Sequence, residues 1–316
     1  MESTGTMKHR YFRLITRNDF DGLVCAVLLK HLKLISDIKF VHPKDMQDGK
    51  ITVTDADIST NLPYIPGVHV AFDHHLSETM RIKGSRSNHI IDPKAPSTAR
   101  VVWQHYGGHD AFPHHWDDMM LAVDKADTAQ LSQTDVLYPA KWQLLNFMLD
   151  ARTGLERFSE CRLSHDQVMM HLIEYSKDHN IDEILNLPDI KARADFYFKH
   201  EQKFQQQIQC CTTVHKNLVV LDLRDEDIIW PGNRFIIYTL FPQCNISIYV
   251  LRGLEKQNTV FAAGKSIFNR TAKINVGGLM LNYTGGGHEA TGTCQVDNDE
   301  AESVLQELIA QITAEV

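Results

Sequence analysis

The chain has 316 residues, of which 43% are hydrophobic and 23% are charged, and its formal net charge is −8. This ordinary globular composition excludes a collagen-like repeat and general disorder, and the length favours two domains of about 150 residues each. The acidic balance argues against a basic surface for polyanions, so we expect no long nucleic acid as a partner.

The cysteines and the apolar runs bear on where the protein works. The six cysteines form no CxxC pair, and no secretory leader precedes the first predicted strand, so we expect reduced thiols and a cytoplasmic location. No apolar run approaches the ~18 residues that a membrane span needs, which predicts no membrane partner.

Strand and helix signals alternate through the N-terminal half. Apolar runs predict strands at 11–15, 38–41, 51–54 and 69–72, and a run at 23–29 predicts a helix buried on most sides. Strands separated by helices indicate an α/β fold with a doubly wound parallel sheet. In such sheets, ligands bind at the carboxyl ends of the strands.

The second half of the sequence changes character. Residues 117–209 give mostly helical signals and end in a long polar helix that is typical of a linker. Strand signals and a closing amphipathic helix follow, at 218–223, 234–238, 246–251 and 300–312. We predict an α/β domain with a helical extension at 8–200 and a smaller α/β domain at 210–316, joined by the helix.

Four clusters of acidic residues and histidines carry the chemistry of the first half. Three of them follow predicted strands and the fourth lies on one face of a predicted helix. They are Asp19 and Asp21; Asp55 and Asp57; Asp73, His74 and His75; and Asp124 and Asp127. One acidic turn is more typical of a helix cap. Four clusters on one sheet favour a site for Mn²⁺ or Mg²⁺, because these ions prefer carboxylate and imidazole ligands. Such ions polarise a phosphoryl group and activate a water, so the clusters indicate a metallo-phosphoesterase.

Two motifs make the interpretation more specific. The run DHH at 73–75 follows a predicted strand, with DFDG at 19–22 upstream, and together they resemble the DHH phosphoesterase superfamily. The run GGGH at 285–288 resembles the partner module of that family, the DHHA1 domain. The family includes RecJ-type exonucleases, nano-RNases, cyclic-dinucleotide phosphodiesterases, manganese pyrophosphatases and exopolyphosphatases.

The resemblance implies a set of metal ligands. Within each pair of acids it leaves a choice: we prefer Asp57 over Asp55, because the stretch after it leads directly into the DHH strand, and Asp127 over Asp124. The implied ligands are Asp19, Asp21, Asp57 with Asp55 as its alternative, His74 and Asp127.

The resemblance also implies two residues that act on the phosphate side of the site. His75 matches the imidazole that faces the scissile phosphate. Asp73 matches a carboxylate that orients the two histidines rather than binding metal itself.

One position departs from the family pattern. Many relatives carry a histidine two residues before Asp19, where this sequence has Arg17. A guanidinium cannot ligate a cation, so the centre holds either one or two ions, and Arg17 is a candidate for binding a substrate phosphate.

A pocket for the end of the substrate is implied in the second domain. Three consecutive glycines allow a close approach of the backbone to an anion. In the resemblance, the DHHA1 domain sets substrate length while the DHH domain cuts. The implied pocket residues are Arg270, Gly285, Gly286, Gly287 and His288.

These observations predict a Mn²⁺-dependent phosphodiesterase that hydrolyses short linear oligonucleotides to mononucleotides. The most direct substrate is a dinucleotide such as pGpG, the linear product of cyclic di-GMP breakdown. Two domains without an added oligonucleotide-binding module provide no track for a long strand.

The sequence leaves other functions open. An exopolyphosphatase needs no base recognition, and a metal-impaired nucleotide-binding sensor is an alternative because Arg17 replaces a ligand. The base, a linear or cyclic substrate, and a homodimer are also left open.

Overall fold

A computed structural model of the chain describes residues 11–314, so residues 8–10 of the predicted first domain lie outside the described part. The described chain divides into two compact units. The first comprises the chain up to Gln130 with Ala140–Ala151 and Phe158–Arg193. The second comprises Leu131–Pro139, Arg152–Arg157 and the chain from Ala194 onward. The predicted domain bounds lack the two short segments that the second unit takes from the middle of the chain, and they stay a prediction.

The first unit contains a five-stranded sheet in the order β2-β1-β3-β4-β5, and every neighbouring pair is parallel. Its strands are β1 Phe12–Thr16, β2 Ile35–Phe40, β3 Asp57–Thr60, β4 Val70–Asp73 and β5 His89–Ile91. The parallel α/β architecture predicted from the alternating signals is therefore confirmed. Parallel strands bring their carboxyl ends to one edge of the sheet, which is where the candidate site lies.

The chain as far as Cys210 contributes ten α-helices within the described residues. They are α1 Phe20–His31, α2 Pro43–Gln47, α3 Leu76–Arg81, α4 Thr98–His105, α5 Asp117–Asp127, α6 Gln133–Leu137, α7 Lys141–Leu149, α8 His165–Tyr175, α9 Ile181–Leu185 and α10 Pro188–Cys210. Ten consecutive residues of α1 are buried, as its apolar run predicts. Asp19 caps this helix by accepting a hydrogen bond from the backbone N–H of Gly22.

The strand predicted at 51–54 is wrong, because β3 begins at Asp57. The carboxylate of Asp57 accepts hydrogen bonds from the backbone N–H of Thr54 at 2.6 Å and from its hydroxyl at 3.1 Å. These bonds close a turn where the β-branched run favoured a strand. The buried strand is the run that follows, Asp57–Thr60, although it is less apolar than residues 51–54.

The second unit contains a six-stranded sheet in the order β10-β11-β9-β8-β7-β6. Only β7 and β8 pair in parallel among these described strands. The elements are β6 Thr212–His215, β7 Leu218–Asp222, α11 Ile236–Leu240, β8 Ile246–Arg252, β9 Thr259–Lys265, α12 Val276–Leu281, β10 Gly286–His288, β11 Thr291–Val296 and α13 Ala301–Thr313. Residues from α12 and α13 pack with alternate residues of β7, β8 and β9 to form the core of this unit.

The strand predicted at 234–238 is also wrong, because this segment enters the short helix α11. The side chain of Asn233 accepts a hydrogen bond from the backbone N–H of Phe235 at 2.9 Å, which closes a turn instead of extending the chain. Packing of the apolar run in the second unit overrides its strand propensity.

None of the helices in the described part of the chain has the length and hydropathy that crossing a membrane requires.

Candidate active site

Three of the predicted metal ligands meet at the carboxyl edge of the first sheet. One ligand atom each from Asp21, His74 and Asp127 lies within 4.8 Å of the others. Asp21 is in the first turn of α1, His74 follows β4, and Asp127 is the last residue of α5. Three separate elements therefore deliver two carboxylates and one imidazole to one point.

Asp21 is held by the start of another helix. Its side chain is 3% exposed and accepts hydrogen bonds from the backbone N–H groups of Thr98 at 3.0 Å and Ala99 at 2.8 Å, in the first turn of α4. Burial and the nearby charge of Asp127 raise the pKa of Asp21 to about 7. A cation at this point would return the carboxyl to its charged form.

His74 presents one ring nitrogen to the cluster. Its Nδ1 lies 3.2 Å from the carbonyl oxygen of Ala95, so Nδ1 carries the proton and Nε2 is directed to Asp127. Nε2 lies at ion-pair distance, 2.8 Å, from Asp127 Oδ2, and no hydrogen bond within the described residues satisfies this buried nitrogen. Burial lowers the pKa of His74, but Asp127 and Asp21 outweigh it and raise the pKa to about 9.

This donor set fits a divalent ion. Two carboxylates and an imidazole suit Mn²⁺ or Mg²⁺. The buried Nε2 of His74 lacks a hydrogen bond, and an ion coordinated by that nitrogen would satisfy it.

Asp73 organises the two histidines that follow it. Its buried Oδ1 accepts hydrogen bonds from the backbone N–H of His74 at 2.9 Å and from that of His75 at 3.3 Å, and it lies 2.6 Å from Nδ1 of His75. Burial lowers the pKa of His75, but Asp73 raises it by more. His75 is therefore held with a proton on Nδ1, at the start of α3.

Asp19 lies at the same edge but is engaged by other side chains. The Nε of Arg17 lies 3.0 Å from its Oδ2, and the amide nitrogen of Asn61 donates to its Oδ1 at 3.1 Å. Asn61 is buried and directly follows β3. The sequence analysis does not single out Asn61, because it places the third strand at 51–54. Once β3 is placed at Asp57–Thr60, Asn61 is the first residue after the strand, where ligands of a parallel sheet bind.

The structure does not bring Asp55 or Asp57 to the cluster. Asp57 is the first residue of β3 and pairs in register with Arg13, whose Nε lies 2.7 Å from Asp57 Oδ1. At about 3.3 Å per residue, the four steps from Asp57 to Asn61 span about 13 Å. Asp55 lies exposed in the turn before the strand.

The two acids of α5 have different surroundings. Asp124 accepts a hydrogen bond from the hydroxyl of Ser97 at 2.7 Å and from Nε of Arg100 at 2.9 Å. These contacts hold α4 against α5. Asp127, one turn later, joins the cluster instead.

The glycine run of the second unit lies in a tight hairpin. A Cβ on Gly285 would lie 2.1 Å from the carbonyl oxygen of Thr293, and one on Gly287 would lie 2.2 Å from that of Thr291. Close packing of β10 on β11 therefore requires glycine at both positions. His288 is exposed at the end of β10.

Arg270 lies in the loop between β9 and α12. Its side chain is exposed, and its Nε donates to the carbonyl oxygen of Ile267 at 3.0 Å. The predicted role of Arg270, Gly285, Gly286, Gly287 and His288 in holding the end of the substrate stays a prediction.

The second unit also contains a partly open cavity of about 270 Å³ that no sequence motif indicated. Three arginines and several aromatic side chains line it, without an acidic residue. Two hydroxyls fix its sheet-side wall: Tyr238 donates to the carbonyl of Gly264 at 2.8 Å, and Tyr249 donates to that of Arg234 at 2.9 Å. The charged and aromatic lining residues are Arg152, Arg157, Arg234, Phe204, Trp230, Tyr238 and Tyr249.

Comparison with known proteins identifies the family. No family model matches the chain, and no curated protein matches it. A solved structure, the pGpG-specific phosphodiesterase PggH from Vibrio cholerae, is 56% identical; the match covers 96% of this chain and 100% of that one, with a TM-score of 0.84. RecJ from Thermus thermophilus, in complex with Mg²⁺, is 13% identical with a TM-score of 0.50; the match covers 98% of this chain and 50% of RecJ, and it shows the fold alone.

The chain belongs to the DHH/DHHA1 phosphoesterase family. It is a hydrolase that acts on phosphoester bonds, in a family whose phosphoesterases depend on metal.

Proposed function

We propose that this protein hydrolyses the linear dinucleotide pGpG to two mononucleotides. The observation that carries the proposal is the 56% identity, over nearly the whole of both chains, to a pGpG-specific phosphodiesterase. The Asp21, His74 and Asp127 cluster supplies the hydrolytic centre that such an activity needs.

Asp21, His74 and Asp127 would hold the ion, and we propose Mn²⁺ with Mg²⁺ as the alternative. Such an ion polarises a phosphoryl group and lowers the pKa of a bound water. Asp127 sits at the end of a helix that Asp124 anchors to α4 through Arg100, which keeps the ligand in place.

Asp73 and His75 would act on the phosphate. Because Asp73 keeps a proton on Nδ1 and raises the pKa of His75, the imidazolium form also carries a proton on Nε2. From this atom, His75 can donate a hydrogen bond to a phosphate oxygen while charge develops there.

The cavity of the second unit supports a nucleotide substrate. Its arginines match a phosphate group and its aromatic rings match the face of a base. Arg157 is exposed at this cavity, where its Nη1 donates to the carbonyl oxygen of Ile229 at 3.3 Å, so its guanidinium can reach an anionic ligand. We propose that one nucleoside of pGpG binds here, with the terminal phosphate at the predicted pocket of Arg270 and His288.

A substrate panel tests the proposal. With Mn²⁺, we expect pGpG to be cleaved faster than pApA, cyclic di-GMP, a pentanucleotide and polyphosphate. Exhaustive chelation should abolish the activity, and Mn²⁺ should restore it better than the larger Ca²⁺. Faster hydrolysis of polyphosphate, or product formation after chelation, would contradict the proposal.

Because pGpG arises inside cells from cyclic di-GMP, we propose a cytoplasmic role in that signalling pathway.

A further inference from the structure

We propose that the centre holds one metal ion per chain and that the guanidinium of Arg17 supplies the positive charge that a second ion would otherwise bring. This inference rests on the proposed metal centre, but not on which phosphodiester is cleaved. It follows from the side chains at the carboxyl ends of β1 and β3.

The carboxyl end of β3 brings no negative charge to the site. The residue there is Asn61, an amide that is 3% exposed. Its nitrogen donates to Asp19 Oδ1 at 3.1 Å, and its backbone N–H donates to the carbonyl of Phe72 at 3.2 Å, so its orientation is fixed. The carboxylate of this strand, on Asp57, lies at the opposite end against Arg13.

The carboxylate that follows β1 is already matched with a cation. Asp19 Oδ2 lies 3.0 Å from Nε of Arg17, and its Oδ1 accepts the backbone N–H of Gly22 at 3.0 Å. A guanidinium has five donors and no acceptor, so Arg17 cannot ligate a metal. A second divalent ion beside Asp19 would be repelled by this guanidinium at short range.

The remaining ligands suffice for one ion. Asp21, His74 and Asp127 converge on one point, and at the end of β3 the amide of Asn61 donates to Asp19 and adds no carboxylate. The side chain of Arg17 is 40% exposed, so it can also meet a phosphate oxygen. Its planar fork suits bidentate binding of phosphate. The scissile phosphate would thus lie between one ion and one arginine.

Metal counting tests the proposal without any activity measurement. Purified protein is saturated with Mn²⁺, freed of excess metal and analysed for metal and for its electron paramagnetic resonance spectrum. All variants carry His114→Ala, because His109, His114 and Asp117 form a second group of potential ligands at the surface. We expect about one Mn²⁺ per chain with the spectrum of an isolated ion, since paired ions lie about 3.5–4 Å apart and couple.

Introducing an imidazole at position 17 and a carboxylate at position 61 should create a site for a second ion. Arg17→His with Asn61→Asp should raise the content to about two ions per chain with a coupled spectrum. Arg13→His is the matched control, since it places a histidine beside Asp57 at the other end of the same strands; it should leave the content at about one.

Two results would overturn the inference. One is a coupled pair of ions in the protein that retains Arg17 and Asn61. The other is a double variant that is folded by circular dichroism and still binds a single ion. Failure of the pGpG panel would leave the metal count standing, so the two proposals fail separately.

Discussion

Nε2 of His74 and Oδ2 of Asp127 lie 2.8 Å apart without making a hydrogen bond, although one residue follows a strand and the other ends a distant helix. The backbone carbonyl of Ala95 fixes the other ring nitrogen of His74. This geometry suits two ligands that share an ion, and it separates the role of His74 from that of its neighbour His75.

Substitution of His74 and substitution of His75 should therefore change metal content and activity in different ways. His74→Ala should lose most of the bound metal and the activity with it, because it removes a ligand. His75→Ala should keep its metal and lower turnover by about 10²–10³-fold, the range seen when one donor to a developing charge is removed. Metal analysis beside kinetics makes the comparison; metal loss in the His75 variant with full metal in the His74 variant would reverse the assignment.

The acids of α5 form a natural matched pair. Asp127→Asn should reduce the metal content, because it removes a ligand. Asp124→Asn should retain metal but lower the free energy of unfolding by about 2–3 kcal/mol, because Arg100 and Ser97 lose a partner in a part-buried network. Thermal melts and metal analysis on both variants check this; the opposite pattern would make Asp124 the ligand.

Metal affinity should depend on pH through His74. In the metal-free protein the pKa of His74 is raised to about 9, so below that pH the ion must displace a proton. Apparent Mn²⁺ affinity should rise as pH rises from about 7 toward about 9, and binding should release protons in this window. Titration calorimetry in buffers of different ionisation enthalpy measures the release; no proton release at pH 8 would contradict the assignment of His74.

The same pair bears on stability in the absence of metal. The pKa of His74 in the folded protein lies above its ordinary value of 6.5, so its pairing with Asp127 stabilises the fold fully below pH 6.5. That contribution is lost as pH rises through about 9. Metal-free protein should therefore gain more stability from Mn²⁺ at the upper end of this window.

The cavity of the second unit should govern substrate affinity. Trp230→Ala should raise the KM for pGpG about 5–150-fold, which corresponds to about 1–3 kcal/mol for stacking one base. Hydrolysis of a small diester without a base should change little. Lys203→Ala is the control, because its ammonium lies 4.2 Å from the centre of the Trp230 ring but does not line the cavity. Equal effects of both variants on both substrates would indicate a general packing defect.

The sequence predicted the parallel sheet from alternating strand and helix signals. The resemblance to the DHH family implied Asp21, His74 and Asp127 as ligands, together with Asp19 and with Asp57 or Asp55. It did not predict Asn61, since that required the true position of β3, which a turn between Thr54 and Asp57 determines. It also missed the cavity around Trp230 and Arg157, whose lining comes from distant segments that only the folded unit brings together.

Substrate length distinguishes a dinucleotide enzyme from an exonuclease. If the second unit recognises the terminal phosphate, cleavage depends on how many nucleotides separate that phosphate from the scissile one. A dinucleotide places its single scissile phosphate at the ion, whereas a longer strand must leave the end pocket unused or extend over an acidic protein.

Losing contacts to a terminal phosphate should cost about 2–5 kcal/mol, because paired charges are left unmatched. We therefore expect rapid cleavage of pGpG and a sharp fall in rate by the tetramer or pentamer. Arg270→Ala should weaken this preference as well as the rate, if Arg270 contacts the terminal phosphate, while Lys273→Ala, in the same loop, serves as the control. Rates measured on a ladder of oligonucleotides decide the matter; equal rates on dimers and on long strands would favour a processive exonuclease.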